Sequence, residues 1–332
     1  MTARAKETAT PTRSSQAEAY AIEVEGMSVW YGRAPAVRNL SMHIPPGSIY
    51  GLVGPSGAGK STALRVLATL QQPDAGTVVV DGVDIRANPA AARDRIGYLP
   101  DSSGLYEGLT AGEYLAFYGA IYSVPPRRRR QMTDELLELI GLTDRRDAPV
   151  HSLSRGMRQK LGLARCLVHD PPILLLDEPA AGMDPRSRLD LRDILQELAR
   201  LGTTIVISSH QLAELAEICS YLGIMRAGQL VAEGAVGEIM NAVSPEVRML
   251  VHLLDPKDAE TARQILEAHP ACHGVESRGS STLVVRFEGT RQDRAAILGE
   301  LSRSCVQVTD FEVERPTLED VFLRVIDSGA EA

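Results

Sequence analysis

Hydrophobic and polar positions run through this chain with two different rhythms. Residues 21–29 alternate, with Ile22 and Val24 set against Glu23 and Glu25, and predict a half-buried strand. Residues 40–44 predict a second strand, after which Pro45-Pro46-Gly47 turns the chain into the continuous apolar run Ile49-Tyr50-Gly51-Leu52-Val53. That run predicts a buried strand, and Thr62-Ala63-Leu64-Arg65-Val66-Leu67 predicts the start of a helix. Residues 77–80 form a further strand pattern, closed by the tight turn Asp81-Gly82. From 110 to 166 the pattern is mainly helical, as in 113–122 and in 131–140, the latter ended by Gly141. Residues 173–176 are apolar throughout, as in a central parallel strand. Residues 186–201 are amphipathic at helical spacing, and 203–208 predict another buried strand. Strand and helix in alternation predict a parallel α/β core with an inserted helical lobe over about residues 102–166.

After residue 240 the rhythm changes. Strands over 246–254, 281–287 and 306–313 alternate with helices over 257–268, 291–302 and 318–326. This pattern predicts a small C-terminal α+β domain of ordinary domain size. The expected division is a disordered tail (1–20), an α/β unit (21–240) and an accessory domain (241–332), with no internal repeat.

Composition narrows the class. The 332 residues carry 35 basic and 43 acidic side chains, a net charge of −8, which excludes reliance on a broad basic surface for nucleic acid. Hydrophobic content of 44% and charged content of 23% are ordinary for a soluble globular chain. Cys166, Cys219, Cys272 and Cys305 form no CxxC pair and read as reduced residues of a cytosolic protein. No apolar run reaches the roughly 18 residues of a membrane span. The first 18 residues are rich in Ala, Thr and Ser without an apolar core, so they are no secretory signal.

Four segments carry chemistry. Gly54-Pro55-Ser56-Gly57-Ala58-Gly59-Lys60-Ser61 fits the phosphate-loop pattern G-x-x-x-x-G-K-[ST], between a predicted strand and a predicted helix. Glycines let several N–H groups converge on one spot, and the helix N-terminus adds its positive end. Lys60 is then placed to reach the β- and γ-phosphates of a nucleoside triphosphate, Ser61 to hold Mg²⁺, and Thr62 to border the phosphates. Second, Ile173-Leu174-Leu175-Leu176 ends in Asp177-Glu178. One such Asp supports Mg²⁺ in phosphate-loop enzymes, and a neighbouring Glu can take a proton from attacking water. Alternation along a strand sends the two acids to opposite sides, so they take different roles. Third, Leu153-Ser154-Arg155-Gly156-Met157 precedes a helix; taken alone, Ser154 reads as an ordinary N-cap, with an anion site as the second reading. Fourth, His210 follows the strand at 203–208, where an imidazole can hydrogen-bond a phosphate oxygen; a lone His is more often structural.

In this order the four segments resemble the ATP-binding cassette (ABC) family of transporter ATPases, over about residues 22–237. Gly54–Ser61 is similar to the Walker A loop, Leu153–Met157 to the family signature, Ile173–Glu178 to Walker B with its catalytic glutamate, and His210 to the switch histidine. Ala181-Gly182-Met183-Asp184-Pro185 resembles the D-loop, which makes Asp184 a nucleotide-site residue. Tyr31, in Trp30-Tyr31-Gly32, falls where the family places an aromatic on adenine; Trp30 is its rival, and plain packing the alternative for both. Three departures stand out: Asp101 where the family usually has a Gln that touches Mg²⁺ or water, Arg155 and Met157 in the signature, and Ala181 opening the D-loop. Asp101 is shorter and, ionised, accepts only.

The resemblance implies an ATPase that uses ATP and Mg²⁺. Glu178, His210 and Lys60 would be catalytic, Ser61, Asp177 and Asp101 would lie on the metal, and Ser154 and Gly156 would serve the nucleotide of a second copy in a head-to-tail dimer. It also implies an integral membrane permease as partner and a peripheral place on the cytoplasmic face of the membrane, with no nucleic acid. Residues 101–122 resemble the family's permease-docking region. These, with Pro316-Thr317-Leu318-Glu319-Asp320-Val321-Phe322, are similar to the branch of drug, polyketide and sodium exporters. The alternatives are a soluble cassette protein acting on ribosomes or DNA, and an unrelated phosphate-loop kinase or GTPase. The first usually carries two cassettes or large insertions, and the second is disfavoured by the signature and by the absence of N-K-x-D. Arg127–Arg130 read as a solvated helix start before they read as a lipid contact.

Overall fold

A computed structural model describes residues 20–102, 104–106, 108–211, 215, 217–243 and 247–314. The expected tail, the expected last helix at 318–326 and the segment 316–322 lie outside the described residues, as does Glu107 of the docking region.

Three sheets organise the described residues. The first joins β1 (Ile22–Tyr31), β2 (Ala34–Ile44), β4 (Ala75–Val80) and β5 (Val83–Asp84) in the order β2-β1-β4-β5, all antiparallel. The second joins β3 (Ile49–Val53), β6 (Ile96–Leu99), β7 (Ile173–Asp177), β8 (Thr204–Ser209), β9 (Tyr221–Arg226) and β10 (Gln229–Ala235) in the order β10-β9-β3-β8-β7-β6. Here only β10 runs antiparallel to its neighbour. β3, β7 and β8 are buried at every position, which is why their sequences are nearly unbroken apolar runs.

The pleat of this sheet divides the core. Leu174, Leu176, Ile205 and Ile207 face a cluster that includes Tyr114, Leu136 and Leu161 of the helical lobe. Ile173, Leu175, Val206, Tyr50 and Leu52 face the other side, with β1, β2, β4 and α1 (Lys60–Leu67). The lobe consists chiefly of α3 (Ala111–Ile121), α4 (Pro126–Leu139) and α5 (Arg155–Cys166), preceded in the chain by the short α2 (Pro89–Arg93). Arg127–Arg130 lie in the first turns of α4, where Arg128 pairs with Glu135 at 2.8 Å and is exposed. α6 (Pro185–Arg200) and α7 (Val236–Val243) complete this part of the described chain.

The third sheet, β12-β13-β11-β14, contains β11 (Val247–Leu253), β12 (Cys272–Ser277), β13 (Thr282–Phe287) and β14 (Val308–Glu314). With α8 (Ala259–Ala268) and α9 (Arg291–Arg303) it encloses its own apolar cluster, including Met249, Val251, Leu266, Phe287 and Leu301. The expected strands and helices at 246–313 appear within a few residues, and the start expected for α8 is a single 3₁₀ turn, Pro256–Asp258. β6, β9, β10, β12, α2 and α7 were not expected from the pattern.

Candidate functional site

The order of the second sheet assembles the site. β8 lies between β3 and β7, so the C-terminal ends of three neighbouring parallel strands meet, with Val53 opposite Ser209 and Asp177 opposite Ser208. In open α/β sheets, ligands bind at this edge. The loop Gly54–Ser61 leaves β3 and enters α1 here.

Gly59, the N-cap of α1, has φ 105°, and a Cβ on it would lie 2.4 Å from the Ala36 carbonyl oxygen. Only glycine fits, and the loop backbone therefore wraps tightly around the helix N-terminus. Lys60 is 7% exposed, and its Nζ donates to the carbonyl oxygens of Gly54 at 2.7 Å and Pro55 at 3.3 Å. Burial pulls its ammonium below the ordinary lysine range, against the opposing charges of Glu178 and Asp177. Thr62 is buried in the first turn of α1. Gly54, Pro55, Ser56, Gly57 and Ala58 make up the loop between β3 and α1.

Asp177 ends β7 and is 3% exposed. Its Oδ1 accepts from Ser61 Oγ at 3.0 Å and from Ser208 Oγ at 2.6 Å. Ser208 Oγ also accepts from the Glu178 N–H at 3.0 Å. Glu178 has φ 48°, left-handed for a residue with a side chain. Such a backbone costs on the order of 1–3 kcal/mol and concentrates at functional sites. Strand alternation was expected to separate the two acids. Instead β7 stops at Asp177 and the left-handed residue turns Glu178 away, with its Oε2 2.9 Å from His210 Nδ1. Asp177 thus faces the loop serine, while Glu178 faces the histidine beyond β8.

Ser208 was not singled out from the sequence. The signal was available: the apolar run of β8 ends in Ser208-Ser209 just before His210. Ser208→Ala removes a donor to a buried carboxylate and leaves the Glu178 N–H without its partner. We expect a loss of about 1–3 kcal/mol in urea unfolding, with a lower midpoint and unchanged m. A midpoint equal to that of the unaltered chain contradicts this account of the bridge.

The remaining candidates occupy the surroundings. Ser154 is the N-cap of α5, and its hydroxyl oxygen accepts from the Met157 N–H at 3.3 Å, leaving its own proton free to donate. The N-cap reading of Ser154 therefore holds, and the N-cap bond leaves the hydroxyl able to donate elsewhere. Gly156 is buried; a Cβ there would lie 2.7 Å from Ser187 Oγ. Ser187 Oγ donates to Asp184 Oδ2 at 2.6 Å, and Asp184 caps α6 by accepting from the Ser187 N–H at 3.0 Å. These bonds hold the exposed Asp184 carboxyl below its ordinary range. Signature and D-loop segments therefore touch through Ser187. Tyr31 is 49% exposed; its hydroxyl donates to Gln71 Oε1 at 2.7 Å and lies 3.5 Å from Arg65 Nη1 on α1. Trp30 is comparably exposed. Asp101 follows β6 and is exposed, and its charge acts on Tyr98.

The chemistry of the donor set suits a triphosphate with a hard cation. Among the described residues, no group of three His, Cys, Asp or Glu side chains could hold a metal ion. One buried carboxylate beside a serine hydroxyl fits Mg²⁺, which keeps several waters and takes phosphate oxygens.

Comparison with known proteins matches residues 37–181 to the ABC transporter family model and residues 234–326 to the C-terminal domain of DrrA1-3-like ATP-binding proteins. The daunorubicin/doxorubicin resistance ATP-binding protein DrrA of Streptomyces peucetius is 35% identical over 94% of this chain and 94% of its own. The bacitracin transport ATP-binding protein BcrA of Enterococcus faecalis is 31% identical over 94% of this chain and 98% of its own. Among solved structures, a dimeric bacterial ABC transporter cassette superposes with a TM-score of 0.60 at 25% identity, covering 65% of this chain and 98% of that one.

Proposed function

From the premise that this chain belongs to the ABC transporter family, as an ATP-binding subunit with ATPase activity, we propose that it drives a membrane exporter of antibiotic-like compounds. The observation that carries the catalytic part is the convergence of Lys60, Ser61, Asp177, Glu178 and His210 on the ends of β3, β7 and β8. The export direction rests on relatives named for drug resistance and bacitracin transport. Nothing among them favours work on ribosomes or DNA.

The loop N–H groups of 54–61, Lys60 and Thr62 hold the phosphates, and Tyr31 stacks on the base. Ser61 and Asp177, with Asp101, would hold Mg²⁺, which would supply charge neutralisation to the phosphates. Glu178 polarises the attacking water, and His210, with Nδ1 occupied by Glu178, offers Nε2 to the γ-phosphate. Ser154, Gly156 and Asp184 serve the nucleotide of a second copy, a reading supported by the dimeric solved cassette. Closure on ATP and reopening after hydrolysis supply the stroke.

No helix among the described residues is long and apolar enough to cross a membrane. The transport and resistance ATP-binding proteins it resembles support a place on the cytoplasmic face, held by an integral membrane permease. Affinity capture of the tagged Glu178→Gln chain from solubilised native membranes with ATP tests this. A multi-spanning protein in matched amounts is the expected companion. Recovery only with ribosomal or DNA-bound proteins, or as a soluble dimer alone, overturns the exporter reading.

A further inference from the structure

A cavity of about 350 Å³ lies between α6 and the stretch that follows β8, and Glu178 and His210 form part of its wall. None of residues 54–61 lines it, so it is a separate space from the phosphate loop. Leu191 and Leu195 on α6, Ile207 on β8, and Leu215 and Ile218 beyond it make most of the remaining wall apolar. Leu189 also lines the cavity and is 50% exposed, which places it where the cavity meets solvent.

The polar groups of the wall are engaged with one another or with the backbone. Glu178 Oε2 lies 2.9 Å from His210 Nδ1, Ser209 Oγ accepts from the Gln211 N–H at 2.9 Å, and Arg192 Nη1 donates to Glu217 Oε2 at 2.8 Å. Arg188 Nε donates to the Met183 carbonyl oxygen at 3.1 Å. Two arginines and two glutamates line the space, so their charges cancel. About ten water molecules fill such a volume at liquid density, and each needs several polar partners. A wall this apolar, with its polar groups already engaged, does not supply them. A charged ligand would meet no net opposite charge, so the fit is to an uncharged body. Ligand pockets run from roughly 300 to 1,000 Å³, and this one is at the small end. The Arg192–Glu217 pair ties α6 to the stretch beyond β8, with side chains 34% and 64% exposed. A pair so open to water is weak, and it parts readily to admit a ligand.

We propose that this cavity is a binding site for an uncharged, largely apolar compound of two or three linked rings, and that its occupant slows phosphate release by holding Glu178 on His210. The second half rests on the catalytic reading of Glu178 and His210 given above. In turnover Glu178 has to face the attacking water, and His210 the γ-phosphate. A body packed against both favours the arrangement in which they face each other, and a ligand that favours one arrangement shifts the population toward it.

The probe for the test is N-phenyl-1-naphthylamine, an uncharged three-ring fluorophore that brightens in apolar surroundings. Titrated into the full chain without nucleotide, it should saturate at one molecule per chain, and ATP with Mg²⁺ should not displace it. Leu189→Glu sets a carboxylate at the opening from an exposed position. It should weaken probe binding about tenfold, with the melting temperature and the phosphate release without probe unchanged. In the unaltered chain, saturating probe should lower kcat about tenfold at an unchanged KM for ATP. Absence of saturable binding, or equal binding by the unaltered and Leu189→Glu chains, overturns the proposal. Displacement by ATP assigns the probe to the nucleotide site and overturns it as well. If the probe binds without slowing turnover while Glu178→Gln is slow, the proposal falls and the catalytic reading stands. If Glu178→Gln turns over normally, the catalytic reading itself falls and takes the link to turnover with it.

Discussion

Glu178→Gln should release phosphate about 10²–10⁴-fold more slowly than the unaltered chain while binding ATP nearly as tightly. The substitution keeps side-chain length, and the amide can still face His210 Nδ1 across the 2.9 Å separation. What it loses is a group that accepts a proton, and general-base contributions are of that size. A thousandfold loss corresponds to about 4 kcal/mol of barrier. Because reopening follows hydrolysis, the variant should also accumulate as a dimer in ATP, which size-exclusion chromatography with and without nucleotide reads directly. Turnover within tenfold of the unaltered chain would remove Glu178 from the role of base.

Lys60→Met should abolish nucleotide-dependent behaviour while leaving the free fold intact. The ammonium is buried and depressed in pKa by desolvation, so in the free protein its charge costs the fold something. It is held by two loop carbonyls, Gly54 and Pro55, that a triphosphate would replace. Methionine fills a similar volume without charge. The melting temperature without nucleotide should therefore change little. The rise produced by ATP and Mg²⁺ should shrink, because that rise follows ligand concentration over Kd. Turnover should fall by about 10³-fold or more. A large drop in the melting temperature without nucleotide would mean that Lys60 is a structural residue; an unchanged ATP-induced rise would mean that it does not touch the phosphates.

Much of the cassette could be read from the chain because its central strands are buried on both faces. β3, β7 and β8 have nothing polar to interrupt them until the residues that form the site. Edge elements were harder. β10 is half exposed and rich in Gly and Ala, and β12, CHGVES, buries only Cys272 and Val275, so neither carries a clear period. α2 has five residues, too few for helical periodicity to emerge. Within the site, residue types and order pointed to Lys60, Ser61, Asp177, Glu178 and His210. The left-handed turn at Glu178 and the Ser208 bridge were hidden, since a backbone angle and a hydrogen bond across neighbouring strands leave no local pattern.

The space a methyl at 156 would need is already taken by the Ser187 side chain, and that side chain steadies Asp184. A larger residue at 156 has to displace the Ser187 hydroxyl, and a displaced hydroxyl no longer bonds the Asp184 carboxylate. Bulk added to the signature is thereby felt at the cap of α6, so a substitution at one position should be judged together with the residue at the other.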